Sequence, residues 1–244
     1  MRLLFILIGV VLVNVSCKKE HKINATKRVT VITDSVASVL VEKNELMPEL
    51  ELYSQLELNS LHDSTFVAIN KIDSTFVYDL KYATTDNFLK EKVYDCDTCL
   101  LRYATIKQLQ KAHTEFKKLG YRIKFFDCYR PLSIQKKMWK IYPDKRYVAD
   151  PKKGSNHNRG TAVDITLVDS LGVELEMGTA FDFFGNKAHH VYPYLPKQVL
   201  ENRKTLKIVM ESHGFWSITS EWWHYNLNAS YMYGVSDFKT ACED

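Results

Sequence analysis

The spacing of apolar residues changes along this chain, and each change marks an element. Between Thr105 and Leu119, the residues Ile106, Leu109, Ala112, Phe116 and Leu119 recur at three and four positions. That is the period of a helix with one buried stripe, and Gly120 supplies its stop. Arg122 to Tyr129 reads as a strand running into Arg130-Pro131, and Pro131 suits the first turn of a second helix through Trp139. Arg130 therefore lies at a strand-to-helix junction. From Thr161 to Leu167 the pattern alternates, with Thr161, Val163, Ile165 and Leu167 on one face and Ala162, Asp164 and Thr166 on the other. Val168-Asp169-Ser170-Leu171-Gly172 predicts a hairpin-like turn into a second short strand. Pro196 to His213, closed by Gly214, reads as another helix, and Trp222 to Leu227 as a final strand. Helices mixed with hairpin-linked strands predict an α+β domain, a central antiparallel sheet flanked by helices.

The amino-terminal region has a different texture. Met1-Arg2 precedes the apolar run Leu3 to Val13, which is shorter than the roughly 20 residues that span a bilayer and reads as a cleaved export signal. Ser16-Cys17 followed by Lys18-Lys19-Glu20 looks like a bacterial lipoprotein processing site, with Cys17 as the lipidated first residue. Lys18 rather than aspartate after Cys17 directs such a chain to the outer membrane in a Gram-negative host. From Lys18 to about Ser64 the chain is polar and has no periodic core face, so it reads as a tether with one short element. The expected organisation is a signal peptide over 1–16, a lipidated tether over 17–64 and a folded domain over 65–241.

The length of 244 residues, with 45% apolar and 12% aromatic content, supports a single substantial core. The formal charge of +4 is small and the lysines are scattered, which argues against a nucleic-acid partner. Cys96-Asp97-Thr98-Cys99, taken alone, fits half of a structural zinc site, a redox pair or a local disulfide. In an exported chain the four cysteines after Cys17 default to disulfides, and the sequence leaves all three pairings open.

Two short segments carry the chemistry. Ser155-Asn156-His157-Asn158-Arg159-Gly160-Thr161-Ala162-Val163-Asp164 and Glu221-Trp222-Trp223-His224 together supply two imidazoles and two carboxylates. Hydrolytic zinc keeps three protein ligands and leaves a fourth position for water, so His157, Asp164 and His224 are the candidate ligands of one zinc ion per chain. Glu221 is the candidate base for the attacking water. Read singly, each has a plainer explanation, such as a loop histidine or a strand-edge aspartate paired with lysine. An aspartate on the second face of a half-apolar strand nevertheless requires a charge partner or a metal. In a regular strand Glu221 and His224 would face opposite ways, so the functional reading places Glu221 in the turn before the strand or on a bulge. His189, His190 and His213 read as structural.

Both segments are similar to those of the zinc D-alanyl-D-alanine peptidases, most closely the D-alanyl-D-alanine dipeptidases known from vancomycin resistance. Asp79-Leu80-Lys81-Tyr82-Ala83-Thr84, Asp127-Cys128-Tyr129-Arg130-Pro131 and Met177-Gly178-Thr179-Ala180-Phe181-Asp182-Phe183 follow in the family's order, so the resemblance runs from about Val77 to Tyr225. It implies the fold of that superfamily, which hedgehog-type relatives share, and zinc-dependent cleavage of a D,D-dipeptide. It implies that Arg130 stabilises the oxyanion, that Arg159 orders the metal-binding loop, and that Tyr82, Ser155 and Asp182 bind the substrate. Cys128 is a departure, standing where the related dipeptidases usually have glycine. The rival readings are a D,D-carboxypeptidase or endopeptidase acting on peptidoglycan stems, and a zinc-containing binding module. Behind an export signal, such an enzyme is expected in the cell envelope, meeting dipeptides released by wall turnover.

Overall fold

The computed structural model describes residues 52–239 and 242. The signal peptide, Cys17 and most of the tether lie outside the described residues. The described chain begins with a short helix, α1 (Gln55–Ser60), whose start is fixed by a reciprocal capping box between Ser54 and Glu57. Tyr53, Leu58 and Leu61 pack against the main core. Strands β1 (Phe66–Ala68) and β2 (Val77–Tyr78) follow, and β3 (Leu100–Arg102) returns antiparallel to β1.

Next come helix α2 (Tyr103–Lys118), strand β4 (Arg122–Asp127), helix α3 (Leu132–Ile141), strand β5 (Ala162–Val168), helix α4 (Lys197–Ser212) and strands β6 (Phe215–Ser217) and β7 (His224–Leu227). A five-stranded sheet has the order β2-β4-β5-β7-β6. Its pairings are antiparallel except for β2 with β4, which run parallel at one edge. The fold is α+β.

Helix α2 buries Ile106, Leu109, Ala112 and Phe116 of the stripe its periodicity predicts, whereas Leu119 is the exposed residue that caps its end, and Gly120 stops it with a φ of 81° that other residues rarely adopt. Ile106, Leu109, Ala112 and Phe116 of α2 join Leu206 and Met210 of α4 in one cluster with Ile123, Phe125, Val163, Ile165, Leu167, Tyr225 and Leu227 of the sheet. Burial of each large side chain there contributes about 1.5–3 kcal/mol. The second face of β5 is buried as well, because β4 and β7 flank it and the loops that carry the site cover it.

Three expectations need correction. Pro131 is the cap residue before α3 rather than part of its first turn. The turn after Val168 leads to one isolated bridge, Val168 to Glu174, and not to a strand. The Asp169 carboxylate accepts the amides of Leu171 and Val173, which draws them into the turn instead of a ladder. The final strand starts at His224, two residues later than its apolar pattern suggests. Strand β6 is three residues long, too short to show an alternation.

The four cysteines form two disulfides, Cys96 with Cys242 and Cys99 with Cys128. Neither bridge is the local one that the Cys96-Asp97-Thr98-Cys99 spacing permits.

Candidate active site

Asp164 sits in the middle of the sheet, with Asp127 on β4 and His224 on β7 as its cross-strand partners. Directly opposed residues of antiparallel strands face the same way, so these three side chains form a row on the face away from α2 and α4. The row depends on an irregularity. Strands β4 and β5 pair in register up to Phe125 with Ile165, and the register then shifts by one before Asp127 meets Asp164. The extra residue, Phe126, makes a bulge. Without it Asp127 would oppose Val163, a core residue.

His157 reaches this row from a short 3-10 turn, His157–Arg159, that ends at Gly160 in the left-handed region with φ 73°. A Cβ at Gly160 would lie 2.5 Å from the Phe66 ring, so only glycine allows the loop to approach β1 and β3. Arg102 and Thr105 donate to the Gly160 carbonyl and tie the turn down. The Arg159 guanidinium donates to the Tyr233 carbonyl, which fits the loop-ordering role expected of it.

The three candidate ligand groups converge. His157 Nε2 lies 3.4 Å from Asp164 and 3.2 Å from His224 Nδ1, while His224 Nδ1 lies 2.9 Å from the other Asp164 oxygen. Both outer nitrogens are engaged by hydrogen-bond partners. His157 Nδ1 donates to the Cys128 carbonyl at 2.8 Å, and His224 Nε2 donates to the Asn226 amide oxygen at 3.0 Å, an oxygen that also accepts from Asn156. With the outer nitrogens so engaged, the inner nitrogens are the ones free to give a lone pair to a metal once it displaces any proton held there, and two such nitrogens plus a carboxylate within 4.8 Å of one another are a donor set for a dication. Two imidazoles and one carboxylate suit zinc. Among the described residues this is the one histidine, cysteine and carboxylate cluster of that kind, and His189, His190 and His213 stand outside it.

The electrostatics favour positive charge at that point. Burial depresses the His224 pKa, but the hydrogen bond and charge of Asp164 outweigh it and lift the pKa to about 8. Burial likewise raises Asp164, yet the facing His157 and His224 hold it below the usual carboxylate range.

Glu221 lies in the irregular stretch before β7, where the reading of it as a base needs it, and not on the strand. The buried indoles of Trp222 and Trp223 follow it, and the Trp223 carbonyl accepts from Ile165 of β5, which pins the turn to the sheet. Burial raises the pKa of its carboxyl, against the lowering influence of His224, His157 and Arg130.

Arg130 is buried beside this group. Its Nε and Nη2 donate to one oxygen of Asp127 at 3.2 and 2.5 Å, and its Nη1 donates to Gln135 at 2.9 Å. The second Asp127 oxygen accepts from Tyr94 and from the Cys128 amide. The Arg130 amide donates to the His157 carbonyl, so guanidinium and metal loop are positioned together. The guanidinium also lies 5.2 Å from the centre of the Tyr82 ring.

The Tyr82 hydroxyl donates to Asp182 at 2.8 Å. Asp182 has a positive φ of 57°, uncommon outside glycine and asparagine-like residues. Phe181 holds it in place by stacking on Phe126 and meeting Trp223 edge-on. Burial and the nearby Asp164 push the Asp182 pKa well above the ordinary value, although Tyr82 and Arg130 pull the other way. Ser155 has its hydrogen bonds inside its own turn, donating to the Asn158 side chain from both amide and hydroxyl.

Sequence reasoning did not single out Asp127, Asn226, Tyr94 or Gln135. The first two left a signal, since Asp127 stands three residues before Arg130 and Asn226 is on the same strand face as His224. Tyr94 and Gln135 left none.

The family described as D-Ala-D-Ala dipeptidase matches residues 62–240 of this chain. A D-alanyl-D-alanine dipeptidase of Escherichia coli K12 is 37% identical over 164 residues, covering 67% of this chain and 85% of that protein. One from Enterococcus faecalis is 34% identical over 174 residues, with coverage of 62% and 85%. Another from Enterococcus faecium is 31% identical over 186 residues, with coverage of 66% and 91%.

Proposed function

The chain belongs to the D-Ala-D-Ala dipeptidase family, and from that premise we propose that it hydrolyses free D-Ala-D-Ala, or a closely related D,D-dipeptide, with one zinc ion held by His157, Asp164 and His224. The observation that carries this reading is the convergence of that ligand set with a half-buried carboxyl of raised pKa and a clamped guanidinium. Zinc, when bound, lowers the pKa of a water and polarises the scissile carbonyl.

Glu221 takes the proton of the attacking water and returns it to the leaving amine, for which a pKa moved toward neutrality by burial is suited. Arg130 presents fixed positive charge where the carbonyl oxygen becomes negative, and Asp127 and Gln135 hold its aim so that little reorganisation is needed. Asp182, to which the Tyr82 hydroxyl donates, faces the substrate ammonium with Tyr82 closing the pocket, and Ser155 is assigned to the same end by the family resemblance alone. That carboxylate favours a free dipeptide over the extended stem that a carboxypeptidase or endopeptidase would take. Glu221 and Arg130 argue against a purely binding module.

Incubation with D-Ala-D-Ala, L-Ala-L-Ala and an acylated tripeptide ending in D-Ala-D-Ala, with and without zinc, tests this. Zinc-dependent cleavage confined to D-Ala-D-Ala is the expected result, and equal cleavage of the acylated tripeptide would refute it.

We further propose, from the apolar run Leu3 to Val13 and Ser16-Cys17, that the enzyme is anchored in the cell envelope through Cys17 and acts on dipeptides from wall turnover. Cys17→Ser should release the mature chain from membranes. Equal membrane retention of the variant would sink the lipid anchor.

A further inference from the structure

The substrate-end aspartate sits on a long irregular segment between the turn after β5 and helix α4, and that segment is held by its two feet. At one foot Asn202 Nδ2 of α4 donates to the Glu176 carbonyl at 2.9 Å, and Arg203 Nε donates to the Met177 carbonyl at 2.7 Å. At the other foot Nη1 of the same arginine donates to the carbonyls of Lys187 and His189, both at 3.1 Å. One guanidinium thus spans the base of the loop over 178–186, whose middle carries Asp182. Gly178 lets the first foot press onto α4, since a Cβ there would lie 2.9 Å from both Leu195 and Val199. Trp222, the neighbour of Glu221, donates to the Thr179 hydroxyl at 2.8 Å and ties the loop to the catalytic turn.

Arg203 is 3% exposed and, among the described residues, makes no ion pair. A buried cation without a carboxylate is costly unless its hydrogen bonds are met, and three carbonyls meet part of that need. Lysine could not replace it, because an ammonium offers one point of donation where the planar fork reaches two separated stretches of chain.

We propose that Arg203 is a positioning residue for substrate selection: by fixing both feet of the 178–186 loop it places Asp182, and so sets the preference for a free substrate ammonium, without touching the substrate. This rests on the dipeptidase reading above.

Arg203→Lys keeps the charge and removes the span, and two measurements follow from it. Amide hydrogen exchange over 178–186 should quicken at least about tenfold while β5 and α2 stay unchanged. The ratio of kcat/KM for D-Ala-D-Ala to that for acetyl-D-Ala-D-Ala should fall about tenfold to a hundredfold, mainly through KM for the free dipeptide, because small misplacements cost that much. Zinc content should not change. A merely structural role would lower both substrates together and leave the ratio fixed, since a ratio is independent of the fraction of active enzyme.

Unchanged loop exchange in a folded variant overturns the proposal, and so does a loosened loop with an unchanged ratio. Asn202→Ala, which removes a single tie at the first foot, carries the same two readouts at a few-fold magnitude should Arg203→Lys fold poorly. Equal cleavage of the two substrates by the unmodified enzyme overturns the dipeptidase reading instead, and the exchange comparison still judges whether Arg203 holds the loop.

Discussion

Replacing Asp127 with asparagine keeps the shape of the side chain and removes its charge, and the structure fixes what that must cost. Asp127 is fully buried and Arg130 nearly so. One carboxylate oxygen accepts two bonds from the guanidinium, and the other accepts from Tyr94 and the Cys128 amide. An asparagine with its NH2 group toward the guanidinium meets two donors, and with it toward Tyr94 and Cys128 it still meets the Cys128 amide, since only the tyrosine hydroxyl can turn to accept, so no flip restores the whole network. The surviving partner is a desolvated arginine whose charge is no longer matched, and breaking a buried pair in this way destabilises by about 3–5 kcal/mol. A second effect is chemical. The guanidinium loses the fork that aims it, and a loss of about a hundredfold in kcat follows if its charge serves the developing oxyanion. Urea unfolding followed by tryptophan fluorescence gives the first number, and initial rates well below the unfolding transition give the second. Glu115→Gln, which removes an exposed partner of Lys118, should leave both unchanged. A loss of stability below about 1 kcal/mol together with near wild-type kcat would refute the reasoning that Asp127 both neutralises and aims Arg130.

Further outcomes follow from the same geometry. Purified protein should carry about one zinc per chain, and His157→Ala, Asp164→Ala or His224→Ala should empty the site; stoichiometric zinc in all three variants by metal analysis would contradict the ligand assignment. Glu221→Gln should keep its zinc and lose most turnover, and near wild-type kcat in that variant would mean that another group takes the proton. Because burial holds the Asp182 pKa above its ordinary 3.8, its charged form is lost earlier on acidification than an exposed carboxylate's, so kcat/KM for the free dipeptide should fall in acid relative to acetyl-D-Ala-D-Ala; a pH-independent ratio would contradict this. The folded state binds that proton more tightly than the unfolded chain, so its contribution to stability is present in acid and lost as pH rises through the raised pKa. Asp182→Asn should accordingly raise the Tm of chelator-treated protein at pH 7, helped by the ease with which asparagine takes a positive φ, and a lowered Tm would contradict it.

What the sequence made legible was local. The stripe of α2 is a property of neighbouring residues, and so is the stop at Gly120. The strand-to-helix junction at Arg130 is equally local. Chemistry alone required Glu221 to leave the strand, and it does. The row of Asp127, Asp164 and His224 could not be read in this way, because it is set by register across three strands and by a bulge at Phe126 that no local pattern encodes. Arg130 is held by Asp127 and by Gln135 of α3, and Asp127 in turn accepts from Tyr94, a residue that only packing brings to the site. Disulfide pairing has the same non-local character: Cys96 and Cys99 are three residues apart and belong to different bridges.

That divided pairing imposes an order in time. As a chain emerges from its amino terminus, Cys99 meets Cys128 after 29 residues, whereas Cys96 must wait for Cys242, 146 residues on. Throughout that interval Cys96 is the nearest thiol to Cys99 and a ready competitor for Cys128. Native oxidation therefore requires either that the early bridge be buried before Cys96 can attack it or that wrong bridges be exchanged afterwards, a step that takes seconds to hours depending on oxidant and isomerase. Cys242, made 146 residues after Cys96, closes the longer ring, so a chain truncated just before it would leave a lone thiol beside a finished catalytic domain.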